Sequence, residues 1–173
     1  MRQAIFETTD AYITDINSQN LAFRVGHNWI SDLTQEERNS MLGYKTRAQV
    51  IEEAQSGHPK LLQVQKEPLI LKSAYYGKNI NWVTGITYPV FNQGACAAGW
   101  AFSTAGAIAS ATKIKYGANY FDLSAQQLIS CTGTGSGYLN NGCQGGSIST
   151  SMMYTDDVPL ETEAVYGYNS AGG

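Results

Sequence analysis

The chain holds three cysteines and two histidines, and they are segregated. Cys96, Cys131 and Cys143 lie late in the sequence, His27 and His58 early. A thiol becomes a nucleophile when a nearby imidazole holds it deprotonated. The stretch NQGACAAGW, residues 92–100, has the form of a loop built around such a nucleophile, yet the residue just before Trp100 is Gly99. Glycine has no side chain, so no nucleophilic attack can start from that position. Two readings of the cysteines stand: three buried free thiols in a cytosolic protein, or an oxidised protein with one bridge and one cysteine left over. Zinc is poorly supported, because no CxxC-type spacing occurs and both histidines are far upstream.

Composition separates two segments. Residues 1–78 carry 18 charged side chains, nine of each sign, and 79–173 carry only seven; glycine runs the other way, four against 14. A charged leader followed by a glycine-rich body places a boundary near Gly77. The net charge of −3 and 11 Lys and Arg without a run argue against a nucleic-acid surface. No apolar stretch approaches the roughly 20 residues that span a bilayer. Met1 leads straight into RQAIFETTDAYI, which lacks the apolar block of a secretory signal.

The elements that must position the loop follow from periodicity. Ile5, Phe6, Ile13 and Ile16 fall on roughly one face of a helix over 2–17. Leu21, Phe23 and Val25 alternate as in a strand. Ser31 or Asp32 starts a further helical stretch that Gly43 ends. Residues 44–78, with Gly57, Pro59 and Pro68, read as mostly extended. The strongest helix runs from Trp100 to Tyr116, with Gly117 as its cap. A second starts after Ser124, with Gln127 completing a capping box. A third lies around 147–155. Tyr75, Tyr76, Trp82 and Tyr88 read as ordinary packing.

NQGACAAGWAFS resembles the active-site segment of papain-family cysteine peptidases. LSAQQLISC resembles that family's second helix and its cysteine, NNGCQGG its Gly-Gly substrate-binding strand, and INWVTGITYPVFNQG its mature N-terminus. In the leader, Arg2, Phe6, Ile13 and Asn17 fit the ERFNIN propeptide pattern, with Thr9 where Asn is expected. Gly26, Asn28, Ile30 and Asp32 fit the GNFD pattern, with Ile for Phe. The chain thus resembles a papain-like zymogen. The implied fold is α+β, here mainly the helical left subdomain plus a propeptide-like helical segment, with the β-barrel subdomain absent. The implied domains are 1–78, an inhibitor-like segment, and 79–173, the helical half of a peptidase domain.

The resemblance also implies roles. Gln93 takes the place of the oxyanion-hole glutamine, though read alone it is a plausible turn residue. Gly99 occupies the nucleophile position. Gly145, Gly146 and Trp100 match the substrate-binding frame, although Gly145 and Gly146 alone could be a turn pair. Cys96 corresponds to a half-cystine paired with Cys143, and Cys131 to one whose partner lies past Gly173. Residues 44–78 correspond to the stretch that blocks the cleft opposite to substrate direction. His27 reads as a packed or solvated leader residue. The catalytic His and Asn belong to the missing barrel, so the sequence reads as a fragment of a longer precursor or the product of a truncated gene. Expected partners are a protein or peptide, either the β-barrel half or another protein covering the exposed face, with no nucleic acid and no membrane span. No cofactor or metal is expected. The family implies a lysosomal, vacuolar or secreted setting. Three functions follow: an inactive homologue with a binding or structural role, an active endopeptidase seen in altered form, or a scaffold subunit.

Overall fold

The structure, a computed structural model, describes residues 1–55, 79, 81, 82, 85, 88–117 and 121–172. It divides into two compact units, Met1–Leu42 and Gly43–Gly173. The boundary expected near Gly77 lies outside the described residues, as do Tyr75, Tyr76 and His58.

In the first unit, α1 spans Arg2–Ser18 and buries none of its residues. Its stripe of Ile5, Ile13 and Ile16 is only half-buried, and Ile5 and Ile13 line an open groove of about 660 Å³ with Val25, Ile30 and Leu33. Polar side chains fix the path instead. The expected strand at Leu21, Phe23 and Val25 does not form. Asn17 Nδ2 donates to the Val25 carbonyl and the Val25 N–H donates to Asn17 Oδ1, both at 2.9 Å. One side chain therefore supplies the pair of bonds that a neighbouring strand otherwise gives. The chain leaves α1 through Asn20 at φ +54°, a conformation that Asn tolerates better than most residues.

α2, Gln35–Ser40, starts one turn later than expected. Its cap is Thr34, not Ser31 or Asp32: the Glu37 N–H donates to Thr34 Oγ1 (3.2 Å) and the Thr34 N–H donates to Glu37 Oε2 (2.8 Å). That is a reciprocal capping box. Ser31 Oγ accepts from the Asn28 N–H (2.9 Å) in the preceding turn.

The second unit contains α3 (Arg47–Gln55), α4 (Gly99–Tyr116), α5 (Ala125–Cys131) and α6 (Ile148–Asp157). Over Arg47–Gln55, α3 corrects the expectation of mostly extended chain across 44–78; the rest of that stretch, 56–78, lies outside the described residues. The Thr46 N–H donates to Gln49 Oε1 (2.8 Å) and the Gln49 N–H to Thr46 Oγ1 (3.4 Å), a Thr-x-x-Gln start legible in the sequence. α3 anchors through Val50, which packs with Leu139 and Met153.

α4 lies against α5 and α6. Ala101, Ala105 and Ala109, one helical turn apart, are fully buried, so the neighbouring helices approach closely. Trp100, Leu128, Ile129 and Tyr154 complete the core. Ser124 caps α5, accepting from the Gln127 N–H at 3.0 Å. The reciprocal half of that expected box is absent. Gln127 is buried, donating to Tyr154 Oη (3.0 Å) and the Pro159 carbonyl (3.1 Å) and accepting from the Glu161 N–H (2.7 Å). Among the described residues extended pairing is confined to isolated bridges at Tyr44–Gly146, Leu123–Thr162 and Gly133–Asn140. The architecture is that of the helical half of the expected fold.

Candidate functional site

The loop before α4 is held from below by an aromatic row, Tyr88, Phe91, Phe102 and Tyr168. Tyr88 Oη donates to the Leu123 carbonyl (2.7 Å), and Tyr168 Oη donates to the Gln93 carbonyl (2.6 Å). Burial pushes the Tyr168 hydroxyl's pKa upward, which keeps it a donor. Gly94 turns the chain at φ +62°, and a Cβ there would stand 2.1 Å from the Ala171 carbonyl oxygen. The Ala95 N–H donates to that same oxygen at 2.8 Å. Gln126 fixes the partner strip, its Oε1 accepting from the N–H groups of Asn169 (3.0 Å) and Ser170 (3.2 Å).

Cys96 and Cys143 form a disulfide, with Cα atoms 4.5 Å apart. The Ala97 N–H donates to the Cys143 carbonyl (3.0 Å), so the loop and the glycine-rich strip are joined twice. α4 then begins at Gly99, whose exposed backbone stands at the positive end of an 18-residue helix. Among the described residues, a Cβ built on Gly99 meets Gln93 Oε1 alone within 4 Å, at 3.7 Å. Among the described residues the position is open, and it lies within reach of the glutamine side chain.

Trp100, 1% exposed, forms the floor beneath Gly146. A Cβ on Gly146 would lie 2.6 Å from the Trp100 ring, and one on Gly145, at φ +123°, would lie 2.3 Å from the Gly43 carbonyl oxygen. Glycine is required at both. The space is used by chain, for the Gly146 N–H donates to the Gly43 carbonyl (2.7 Å) and the Lys45 N–H donates to the Gly146 carbonyl (2.8 Å). This strap, Gly43–Lys45, runs parallel to the strip. Lys45 Nζ adds a bond to the Leu139 carbonyl at 2.9 Å.

Gly43 was expected to end a helix. The structure gives it another task, since a Cβ there would lie 2.4 Å from the Ala97 carbonyl oxygen and 2.8 Å from Gly145 Cα. Its signal, a lone glycine outside any clear turn, is too common to read from sequence. The Tyr168 and Ala171 contacts also escape sequence reasoning, because they join residues about 75 positions apart. Other expected residues lie elsewhere. Cys131 is an exposed free cysteine at the end of α5. His27, in the first unit, stacks on Phe6 (ring centroids 4.1 Å) and its Nε2 lies 3.1 Å from Asp10 Oδ1.

A half-fold of packed helices, a bridged loop at a helix start and a facing Gly-Gly strip define the peptidase-like class that known proteins share. The family model "Papain family cysteine protease" matches residues 76–173. A cathepsin L-like proteinase from Phaedon cochleariae is 34% identical over 98% of this chain and 49% of its own length. Chymopapain from Carica papaya is 31% identical over 98% of this chain and 45% of its own. Among solved structures, digestive procathepsin L2 proteinase from Tenebrio molitor larval midgut superposes with a TM-score of 0.66 at 27% identity, covering 98% of this chain and 53% of that one. The chain belongs to the papain family of cysteine proteases. It spans about half the length of the relatives it matches.

Proposed function

We propose that this chain is a papain-family member that keeps the peptide-binding frame of its relatives without their covalent catalysis. The observation that carries the reading is Gly99: Gln93, the Cys96–Cys143 bridge and the start of α4 surround a position that has no side chain. Acyl transfer needs a thiolate, an imidazole partner and an oxyanion site. Gln93 stands where it serves the oxyanion site, and the helix start supports negative charge, but the atom that attacks is missing. Gly145 and Gly146 accept a peptide backbone, and the strap already does so within the chain. Arg2–Ser18 and the turns after it play the part of a propeptide, and residues 44–78 supply the stretch that blocks the cleft.

The partner is a protein or peptide. Exposed Val90, Phe121 and Val165 offer apolar surface for the remaining half of the fold or for another protein. The disulfide supports an oxidising compartment, lysosomal, vacuolar or secreted.

The test uses the full-length protein purified from its source. It is expected to hydrolyse no peptide substrate and to keep its leader uncleaved around Gly77. Hydrolysis blocked by a thiol-directed inhibitor would establish the active-endopeptidase reading instead.

A further inference from the structure

Asn141–Gly142 is the only Asn-Gly pair in the chain. We propose that it is a site of spontaneous backbone modification, where Asn141 converts to aspartate and isoaspartate and thereby loosens the strap. The chemistry needs an accessible amide side chain, a following backbone N–H free to lose its proton, and no side chain obstructing their approach. All three conditions meet here. Asn141 is exposed. Among the described residues neither its side chain nor the Gly142 N–H is hydrogen-bonded. Gly142 brings no Cβ, and its φ of +53° marks a turn that suits glycine.

The preceding residue is the internal control. Asn140 is 1% exposed. Its Nδ2 donates to Thr132 Oγ1 (2.9 Å) and Ser151 Oγ (3.2 Å), and its Oδ1 accepts from the Ser147 N–H and Thr150 Oγ1, both at 2.8 Å. Two adjacent asparagines thus differ in every requirement.

The steps balance with water as the co-reactant. The Gly142 nitrogen, after giving its proton to solvent, attacks Asn141 Cγ. A C–N bond forms, the Cγ–Nδ2 bond breaks, and ammonia leaves. The resulting succinimide takes up one water at either carbonyl. One opening restores a normal backbone carrying aspartate. The other routes the chain through the former side chain, adding a methylene to the backbone.

That insertion falls inside a tight turn. The Asn141 N–H donates to the Gly145 carbonyl (2.8 Å) and the Gln144 N–H to the Asn141 carbonyl (2.9 Å). Lengthening the turn shifts Gly145 and Gly146, whose backbone holds Gly43 and Lys45.

The test incubates the full chain, disulfide intact, at mildly alkaline pH, followed by chymotryptic digestion and fragment mass spectrometry. Isoaspartate is read by labelling with an isoaspartyl methyltransferase. Conversion at Asn141 is expected to exceed that at Asn140 by about tenfold or more, because Asn140 must first open its buried network. Asn141→Gln is expected to lose the label. Should that variant not fold, site mapping in the parent chain decides alone. No conversion at Asn141, or equal conversion at both residues, overturns the proposal. In the converted chain the Lys45 amide is expected to exchange hydrogen faster, and unchanged exchange overturns the coupling to the strap.

Discussion

The two units hold themselves together by different physics. The second has a core: fully buried Trp100 and Leu128, an alanine stripe on α4 and a disulfide across the loop. The first, Met1–Leu42, has Ser31 as its one buried residue among those described, and leaves Phe6, Leu21, Phe23 and Trp29 exposed. It depends on single polar side chains, among them Asn17 on Val25, Arg2 on Glu37 (2.5 Å) and Thr9 on the Ser31 carbonyl (2.9 Å). A packed unit spreads its stability over many contacts, whereas a laced unit concentrates it in a few bonds. Damage should therefore be graded by contact volume in one and by bond count in the other.

The largest effect is expected in the core. Leu128→Ala should cost about 2–5 kcal/mol in denaturant unfolding, through lost burial and the cavity left behind. A cost below about 1 kcal/mol would deny the core its role. Replacing both Cys96 and Cys143 by serine should cost about 2–5 kcal/mol and loosen the loop, seen as faster hydrogen exchange at Ala95 and Ala97. In the first unit, Asn17→Ala orphans both polar groups of Val25. It should cost about 1–3 kcal/mol, with exchange of the α1 amides as the readout and the second unit unchanged. Thr34→Ala removes one cap and should cost about 1 kcal/mol, confined to α2.

The smallest effect is a pH dependence. The Thr34 backbone N–H, with help from Arg2, lowers the Glu37 pKa. A lowered carboxylate pKa contributes stability that is present above the ordinary carboxylate range and is lost as pH falls through the folded-state value. Exchange of the α2 amides should therefore rise on acidification, and Glu37→Gln should remove that step.

Much of this was legible in the sequence. α1, α4, α5 and α6 announce themselves by periodicity, caps and apolar content. The bridged loop and the glycine strip are what the family resemblance implies, not what the residues alone dictate. Three features were hidden for physical reasons. The alternation at Leu21–Val25 carries no information about whether a strand partner exists, and here a side chain took that place. α3 buries one anchor, Val50, so its stripe is too thin to register, although its Thr46–Gln49 start was in view. Gly43 serves a close approach to Gly145, a contact between residues about 100 apart that no local pattern encodes. Local chemistry was readable, and the long-range meeting of backbones was not.

The central claim is that the frame at residues 92–100 is preserved around an empty position. Gly99→Cys, made in a Cys131→Ser background, tests it most directly. Because among the described residues a Cβ at 99 meets Gln93 Oε1 alone, at 3.7 Å, the variant should unfold within about 1 kcal/mol of its parent. Its new thiol should react with a maleimide in the folded state while Cys96–Cys143 stays intact. A strongly destabilised variant, or a thiol that reacts only after unfolding, would contradict the account.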